Sequence, residues 1–213
     1  MDIKFQYFKT QRIARVFTNV VKPSNVKKII FAFHGYGQLA NNFISSLTFL
    51  DNGNTLIIAP EGLSRFYNSD KIGASWMTSE DRNNEILDYI NYLSGVYDEI
   101  TSIPEMSEPE IVILGFSQGG HTAARFCAHS GKRVNKLLLC SSTFPDDIQQ
   151  RHLSSSFSNT EIYFISGTND KISPQSEIYA SAQVLKDLNL NFKIINFEGG
   201  HQISSEKVLD IIG

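Results

Sequence analysis

The chain has 213 residues, of which 41% are hydrophobic and 19% are charged, and its formal net charge is −3. This balance excludes an intrinsically disordered chain, and the weak negative charge argues against binding to nucleic acid or to an anionic membrane surface. We expect one domain over residues 1–213, because a chain of this length buries a sizeable core by itself.

The elements are predicted in chain order from hydrophobic periodicity and turn residues. Two strands, at 3–8 and 12–19, are expected to open the chain as an antiparallel hairpin. Further strands are predicted at 28–33, 55–59, 110–114, 136–140, 161–166 and 191–197, and helices at 42–50, from about 80, at 118–129, from about 174 and at 204–212. Continuous apolar strands separated by helices predict an α/β fold with a mostly parallel sheet, covered by helices on both faces.

The cellular setting is inferred from the first residues and the cysteines. The first residues mix charged and apolar side chains, so they lack the apolar core of a signal peptide, and no segment is apolar enough to span a bilayer. Cys127 and Cys140 form no Cys-x-x-Cys pair, and we interpret both as reduced core residues, with a disulfide as the less favoured alternative. These features predict a cytoplasmic protein.

The most informative motif is Gly-x-Ser-x-Gly at residues 115–119, between a predicted buried strand and a predicted helix. This setting favours a nucleophile elbow, a tight turn that lifts the Ser117 hydroxyl above the edge of the sheet. Only residues without bulk fit two places to either side, which explains Gly115 and Gly119. The alternative is a glycine-rich loop that holds a serine by chance.

An acid and a base follow the elbow in the chain order serine, acid, histidine that is typical of a site built on this architecture. Asp170 comes just after one predicted strand and His201 just after the next, so both are expected at the same sheet edge as Ser117. His201 would accept the serine proton, and Asp170 would fix the tautomer of the imidazole. Asp146 and Asp147 are the alternative acids, although we favour helix capping ahead of residue 148 for both.

The other histidines are weaker candidates for the base. His34 precedes the elbow and is predicted to brace its own loop. His121 lies one helical turn beyond Ser117, where the helix dipole disfavours its protonated form. We interpret His129 as a residue at a helix end and His152 as solvated.

An ester carbonyl under attack needs hydrogen-bond donors for its developing oxyanion. The residue after the nucleophile supplies one backbone N–H, here Gln118. The second is expected from the loop at 34–37, with Tyr36 as the first candidate and Gly37 as the next.

That loop also carries the best competing interpretation. Gly35-x-Gly37-x-x-Ala40 loosely fits a dinucleotide fingerprint, and Glu61 is placed to mimic the acid that binds a ribose. A nucleotide-binding oxidoreductase would leave the elbow, Asp170 and His201 unexplained. No spacing typical of a metal site is present in the sequence, and we expect neither a cofactor nor a metal.

The chain resembles the phospholipase/carboxylesterase group of α/β-hydrolases, which includes acyl-protein thioesterases and small bacterial carboxylesterases. The resemblance spans almost the whole chain and rests on the motifs Gly115-Phe116-Ser117-Gln118-Gly119-Gly120, His34-Gly35-Tyr36-Gly37, Ala59-Pro60-Glu61-Gly62 and Gly200-His201, together with Asp170. It implies a compact hydrolase of short or medium acyl esters without a large lid domain. By the pattern of the group, Ser117, Asp170 and His201 would be the triad, and Tyr36 and Gln118 the oxyanion donors.

The chain departs from this group at two places. Gln38 stands where the group usually has Asp or a similar polar residue, and Trp76-Met77-Thr78 replaces a Trp-Tyr/Phe-Asp segment. Trp76 and Met77 are predicted either to wall the acyl pocket or to pack a long surface loop.

These observations predict a serine carboxylesterase that acts on a small-molecule ester. A thioesterase or lysophospholipase acting on longer acyl chains is the alternative within the same chemistry. A non-catalytic binding protein on a hydrolase scaffold is the alternative from a different class.

Overall fold

The fold is built on one twisted sheet, seen in a computed structural model that describes residue 1, residues 3–149 and residues 155–213. In this part of the chain the strands are β1 Val16–Thr18, β2 Lys28–Phe33, β3 Thr55–Pro60, β4 Ser64–Asn68, β5 Lys71–Ser75, β6 Glu110–Phe116, β7 Lys136–Cys140, β8 Glu161–Gly167 and β9 Phe192–Phe197. The α-helices of the same ranges are α1 Ala40–Ser45, α2 Arg82–Thr101, α3 Gln118–His129, α4 Gln175–Asp187 and α5 Ser205–Ile212.

Seven strands form the main sheet in the order β1-β3-β2-β6-β7-β8-β9. All neighbours are parallel except β1, which runs antiparallel to β3 with Val16 opposite Pro60. This confirms the predicted α/β fold with a mostly parallel sheet and an antiparallel strand at the N-terminal side. Since parallel strands end at a common edge, the loops after β2, β6, β8 and β9 meet there.

Both faces of the sheet are covered, as the continuous apolar strands require. On one face the sheet packs against α2, α3 and α4, which contribute Tyr89, Phe126 and Leu185 to the core. On the other face it packs against α1 and α5, which contribute Phe43 and Val208. The central strand β6 is enclosed from both sides, and the four residues 111–114 have no exposed surface.

The hairpin predicted at the start of the chain is wrong for its first strand, at residues 3–8. Residues 3–15 form no strand, and β1 pairs with β3 rather than with residues 3–8. The apolar side chains of Ile3, Phe5 and Phe8 are 75–82% exposed, so they contribute nothing to the core of the described residues. A strand at 3–8 would therefore gain little from pairing.

Two further elements differ from the sequence-based expectation. The predicted helix at 42–50 is divided into α1 and a 3-10 turn at Thr48–Leu50. The antiparallel pair β4–β5 forms a separate two-stranded sheet that the sequence did not predict.

Cys127 and Cys140 are both buried free thiols, as expected for reduced core residues. None of the helices in the described ranges is long and apolar enough to cross a bilayer. The interpretation of His152 falls outside the residues that the structure describes.

Candidate active site

Ser117 lies at a strained turn between β6 and α3. Its backbone has φ 53° and ψ −122°, a conformation that residues other than glycine rarely adopt. The Ser117 N–H donates to the carbonyl of Cys140 at 3.0 Å, and its own carbonyl accepts from Gly120 at 2.9 Å. A strained residue held by the surrounding structure at the head of a helix is the geometry expected of a nucleophile elbow.

The two glycines that flank the elbow are required by close backbone contacts. A Cβ at Gly115 would clash with the carbonyl oxygen of Gly119 and would lie 2.5 Å from the Cα of Gly120. A Cβ at Gly119 would clash with the carbonyl oxygen of Phe33 and would lie 2.6 Å from that of His34. The small residues that the motif demands are therefore explained by contact between α3 and the ends of β6 and β2.

Asp170 and His201 meet at the same edge of the sheet. Oδ2 of Asp170 lies 2.8 Å from Nδ1 of His201, and Oδ1 accepts the backbone N–H groups of Ile172 and Ser173 at 2.8 and 2.9 Å. The Asp170 side chain is fully buried, and that of His201 is 15% exposed.

The charge state of Asp170 follows from these contacts. Burial alone would raise the pKa of Asp170, but the N–H of Ser173, the ring of His201 and the N–H of Ile172 outweigh burial and hold the pKa below its usual value. An ionised carboxylate can only accept hydrogen bonds, so Nδ1 of His201 carries the proton. In the neutral imidazole Nε2 is then left free to accept one.

Among the described residues, the backbone N–H groups of Tyr36 and Gln118 make no turn, loop or cap hydrogen bond to a backbone carbonyl. The N–H of Gly37, the second candidate from the sequence, is engaged by the carbonyl of Ala74 at 2.9 Å. The N–H of Gly35 is engaged by Oε1 of Gln38 at 2.7 Å. Of the donors predicted from the loop at 34–37, Tyr36 is thus the one that is free.

The end of β5 connects the two segments that carry these donors. The carbonyl of Gln38 accepts from the N–H of Ala74 at 3.3 Å, next to the bond from Gly37 to Ala74. Two residues further on, Oε1 of Gln118 accepts from the N–H of Trp76 at 3.2 Å, and its Nε2 donates to the carbonyl of Met77 at 3.0 Å. Sequence reasoning missed this bridge because it depends on the unpredicted β4–β5 pair.

Ser141 is a second residue that the sequence did not reveal. It is fully buried with φ 47° directly after β7. Its hydroxyl donates to the carbonyl of Gln202 at 3.1 Å, and its carbonyl accepts from the hydroxyl of Ser173 at 3.0 Å. It therefore ties the loop of His201 to the loop of Asp170.

His34 is occupied on both ring nitrogens. Nδ1 donates to the carbonyl of Gly35 at 2.8 Å, and Nε2 accepts from the N–H of Gly62 at 2.9 Å. Its burial lowers its pKa, so the ring is neutral and braces its loop, as predicted.

His121 lies on α3 with Nε2 2.8 Å from Oγ1 of Thr143. Burial, followed by the positive charge of Arg125, lowers its pKa to about 4. Burial is therefore the largest cause that disfavours protonation of His121.

The alternative acids and the nucleotide-binding interpretation find no support in the geometry. Asp147 accepts from Nε of Arg125 and Nη2 of Arg82, both at 2.9 Å, so its carboxylate is engaged by two arginines. The predicted helix capping by Asp146 and Asp147 stays a prediction, because residues 150–154 lie outside the described ranges. Glu61 is 2% exposed and accepts two bonds from Nη2 of Arg15 at 2.6 and 2.8 Å, so it is not available to a ribose.

Trp76 and Met77 have different surroundings. Trp76 is 1% exposed and packs against Phe33 and Tyr89, and its Nε1 donates to the carbonyl of His34 at 2.8 Å. Met77 is half-buried, and its Sδ lies 3.7 Å from Nη1 of Arg125. Their role in substrate binding stays a prediction.

A cavity of about 470 Å³ opens beside His201. Phe116, the residue before Ser117, is part of its lining, and its ring centroid lies 5.0 Å from that of His201. It is lined by Gln38, Phe43, Ser46, Phe49, Phe116, His201, Gln202, Ile203 and Ser205. The volume lies within the range usual for small-molecule sites.

Comparison with known proteins gives one family and many similar folds. Acyl-protein thioesterase 2 from Zea mays superimposes with a TM-score of 0.74 at 17% identity, covering 93% of this chain and 96% of that one. A phospholipase/carboxylesterase from Dyadobacter fermentans gives 0.72 at 18% identity, with 95% and 96% coverage. A carboxylesterase from Bacillus cereus gives 0.70 at 16% identity, with 93% and 92% coverage.

At these identities the likeness shows the fold. The search of curated proteins finds no match. The model of the phospholipase/carboxylesterase family matches residues 16–213, which is nearly the whole chain. This protein therefore belongs to the phospholipase/carboxylesterase family of α/β-hydrolases and is an esterase-type hydrolase.

Proposed function

We propose that this protein hydrolyses carboxylic esters of short to medium acyl chains through an acyl-enzyme on Ser117. The observation that carries the proposal is the 2.8 Å contact between Nδ1 of His201 and the buried Asp170 carboxylate, at the sheet edge where Ser117 caps α3. This contact leaves Nε2 of His201 as the proton acceptor for the Ser117 hydroxyl.

The first half of the reaction forms the acyl-enzyme. Oγ of Ser117 attacks the carbonyl carbon of the ester while its proton passes to Nε2 of His201. The carbonyl oxygen takes the negative charge and receives hydrogen bonds from the N–H groups of Tyr36 and Gln118. The bond from carbon to the leaving oxygen then breaks, and that oxygen takes the proton from His201 and departs as the alcohol.

The second half returns the enzyme to its starting state. A water molecule attacks the acyl carbon and gives one proton to Nε2 of His201. The bond to Oγ of Ser117 breaks, Oγ recovers the proton, and the carboxylic acid leaves. Asp170 stays ionised throughout and stabilises the imidazolium that forms in each half.

Steady-state hydrolysis of 4-nitrophenyl acetate and butyrate tests this proposal. We expect saturable turnover that Ser117→Ala reduces by about 10⁴-fold or more, since the nucleophile is removed. Ser102→Ala, at an exposed position after α2, is the matched control and should behave as the wild type. Turnover that survives Ser117→Ala would contradict the assignment.

A second candidate function is cleavage of thioesters or lysophospholipids with longer acyl chains. It is supported by the likeness to the acyl-protein thioesterase of Zea mays and by the family's phospholipase members. A series of 4-nitrophenyl esters and matching acyl thioesters of increasing chain length separates the two. A sharp fall in kcat/KM beyond short chains favours the first candidate, and a rise favours the second.

The buried free thiols of Cys127 and Cys140 support the cytoplasm as the compartment in which the enzyme works.

A further inference from the structure

We propose that the 470 Å³ cavity beside His201, named here the leaving-group cavity, binds the alcohol portion of the substrate and selects an uncharged, aryl-sized alcohol. This inference rests on the proposed function, because it says where the alcohol portion of the ester that Ser117 would attack is bound.

The position of the base identifies which portion of the ester occupies this cavity. The leaving oxygen must lie within reach of Nε2 of His201 to receive its proton. His201 forms a wall of the leaving-group cavity, whereas Tyr36 and Gln118, the proposed oxyanion donors, do not line it. The group bonded to the leaving oxygen therefore extends into this cavity.

Aromatic rings give the cavity its affinity for a flat apolar group. Phe43 and Phe116 are stacked with their centroids 6.5 Å apart and their planes inclined by 23°. The ring of Phe116 also lies 5.0 Å from that of His201, and Phe49 adds a third phenyl group at the wall. Such rings favour an aromatic guest through offset stacking and edge contacts.

The rest of the lining is mostly polar and carries no formal charge. It consists of two serines, two glutamines and an isoleucine, and none of the described residues lining the cavity is Asp, Glu, Lys or Arg. A charged alcohol would lose hydration here without gaining a partner of opposite charge from these five residues. The lining therefore discriminates against both anionic and cationic leaving groups.

Gln38 offers the cavity a hydrogen-bond donor for the substrate. Its Oε1 is engaged by the N–H of Gly35 at 2.7 Å, so the amide orientation is fixed. Its Nε2 donates to no acceptor in the described ranges and is left for a ligand oxygen. An aryl alcohol with an uncharged oxygen substituent fits this arrangement.

The test compares acetate esters that share one acyl group and differ in the alcohol. The probes are phenyl acetate, 2-naphthyl acetate, 4-acetoxybenzoate and 4-acetoxy-N,N,N-trimethylanilinium. Each kcat/KM is divided by the rate constant of hydroxide-catalysed hydrolysis, which corrects for intrinsic reactivity. We expect the two neutral esters to exceed both charged esters by about tenfold or more, because an unpaired charge is costly in this lining.

Two variants locate the selectivity in the cavity. Gln38→Glu keeps an oxygen for the N–H of Gly35 but replaces the free donor with negative charge. It should raise the ratio of the trimethylanilinium to the benzoate ester by about tenfold or more. Phe49→Ala should lower the ratio of the naphthyl to the phenyl ester by about fivefold, through lost apolar contact. Phe192→Ala, a half-buried phenylalanine at the start of β9, is the matched control and should leave both ratios unchanged.

The possible results distinguish a failure of the leaving-group assignment from a failure of the proposed function. A fluorophosphonate labels Ser117 without placing an alcohol in the cavity. If Ser117 is labelled but charged and neutral esters react alike, or if Gln38→Glu leaves the charge ratio unchanged, the leaving-group assignment is overturned while the proposed function stands. If Ser117 is not labelled and no ester turns over, both are overturned.

Discussion

The carboxylate of Asp170 lies 2.8 Å from Nδ1 of His201, and its second oxygen is held by two backbone N–H groups of its own loop. Asp170→Asn should therefore lower kcat for 4-nitrophenyl butyrate by about 10³–10⁴-fold with little change in KM. The amide would donate to Nδ1 rather than accept from it, so the proton would move to Nε2 and block the base.

The control for this change is Asp146→Asn, at an exposed position among the alternative acids of the sequence analysis. It should retain wild-type kcat. A large loss in Asp146→Asn together with near-normal kcat in Asp170→Asn would place the acid on the loop after β7 instead.

The side chain of Gln118 is expected to position an oxyanion donor. Gln118→Ala keeps the backbone N–H but removes the bonds to Trp76 and Met77 that hold this residue against the end of β5. We expect kcat to fall by about 10–100-fold with KM little changed, since a donor that moves by part of an ångström loses most of its effect in the transition state.

Gln183→Ala, on the exposed surface of α4, is the matched control for steady-state kinetics and thermal unfolding. A lower unfolding temperature with wild-type kcat in Gln118→Ala would mean that the side chain is merely structural.

Replacing an elbow glycine by alanine should change the free energy of unfolding in the opposite direction to the same replacement elsewhere in a helix. Gly119→Ala forces a Cβ against the backbone carbonyls of Phe33 and His34 and should lower the free energy of unfolding by about 3 kcal/mol or more. Gly95→Ala, in the exposed middle of α2 with no atom within 4 Å of the added Cβ, should raise it by about 1 kcal/mol. Urea unfolding measures the free energy of unfolding of both variants. Equal changes in the two would contradict the close packing of α3 on β2.

Acid should destabilise the fold partly through His121. Its pKa is about 4 in the folded state, below the ordinary value near 6.5 of an unfolded chain. The unfolded chain then binds more protons between these values, so stability falls as the pH drops from about 6.5 to about 4, by up to about 3 kcal/mol. The neutral, buried His34 contributes in the same direction.

His121→Gln should remove much of this loss, whereas His129→Gln, at the exposed end of α3, should not. The measurement is urea unfolding at several pH values from 7 to 4. The same loss of stability in wild type and His121→Gln would show that His121 is not held neutral.

The loops that carry the candidate site residues were predictable because short sequence motifs determine their positions after the strands. The elbow glycines, the order of Ser117, Asp170 and His201, and the ends of α3 all follow from short motifs after apolar strands. In the structure α3 spans Gln118–His129, as predicted, and Asp170 and His201 are in contact.

The remaining features depend on contacts between distant segments. The β4 strand, Ser64–Asn68, has the sequence Ser-Arg-Phe-Tyr-Asn, which lacks the apolar alternation that marks a strand, and none of its residues is buried. The bonds from Gln118 to the end of β5 and from Ser141 to the loops of Asp170 and His201 exist only once those segments are assembled. The strand predicted at 3–8 is wrong because its apolar pattern suits a strand, whereas its large apolar side chains are exposed in the described structure.

The most direct test of the account is fluorophosphonate labelling of the folded protein, followed by intact-mass and peptide mass spectrometry. The account predicts one label per chain, on Ser117, with labelling much slower in His201→Ala and absent in Ser117→Ala. A folded wild-type protein that takes up no label, or a label on another serine, would contradict the assignment of Ser117 as the nucleophile.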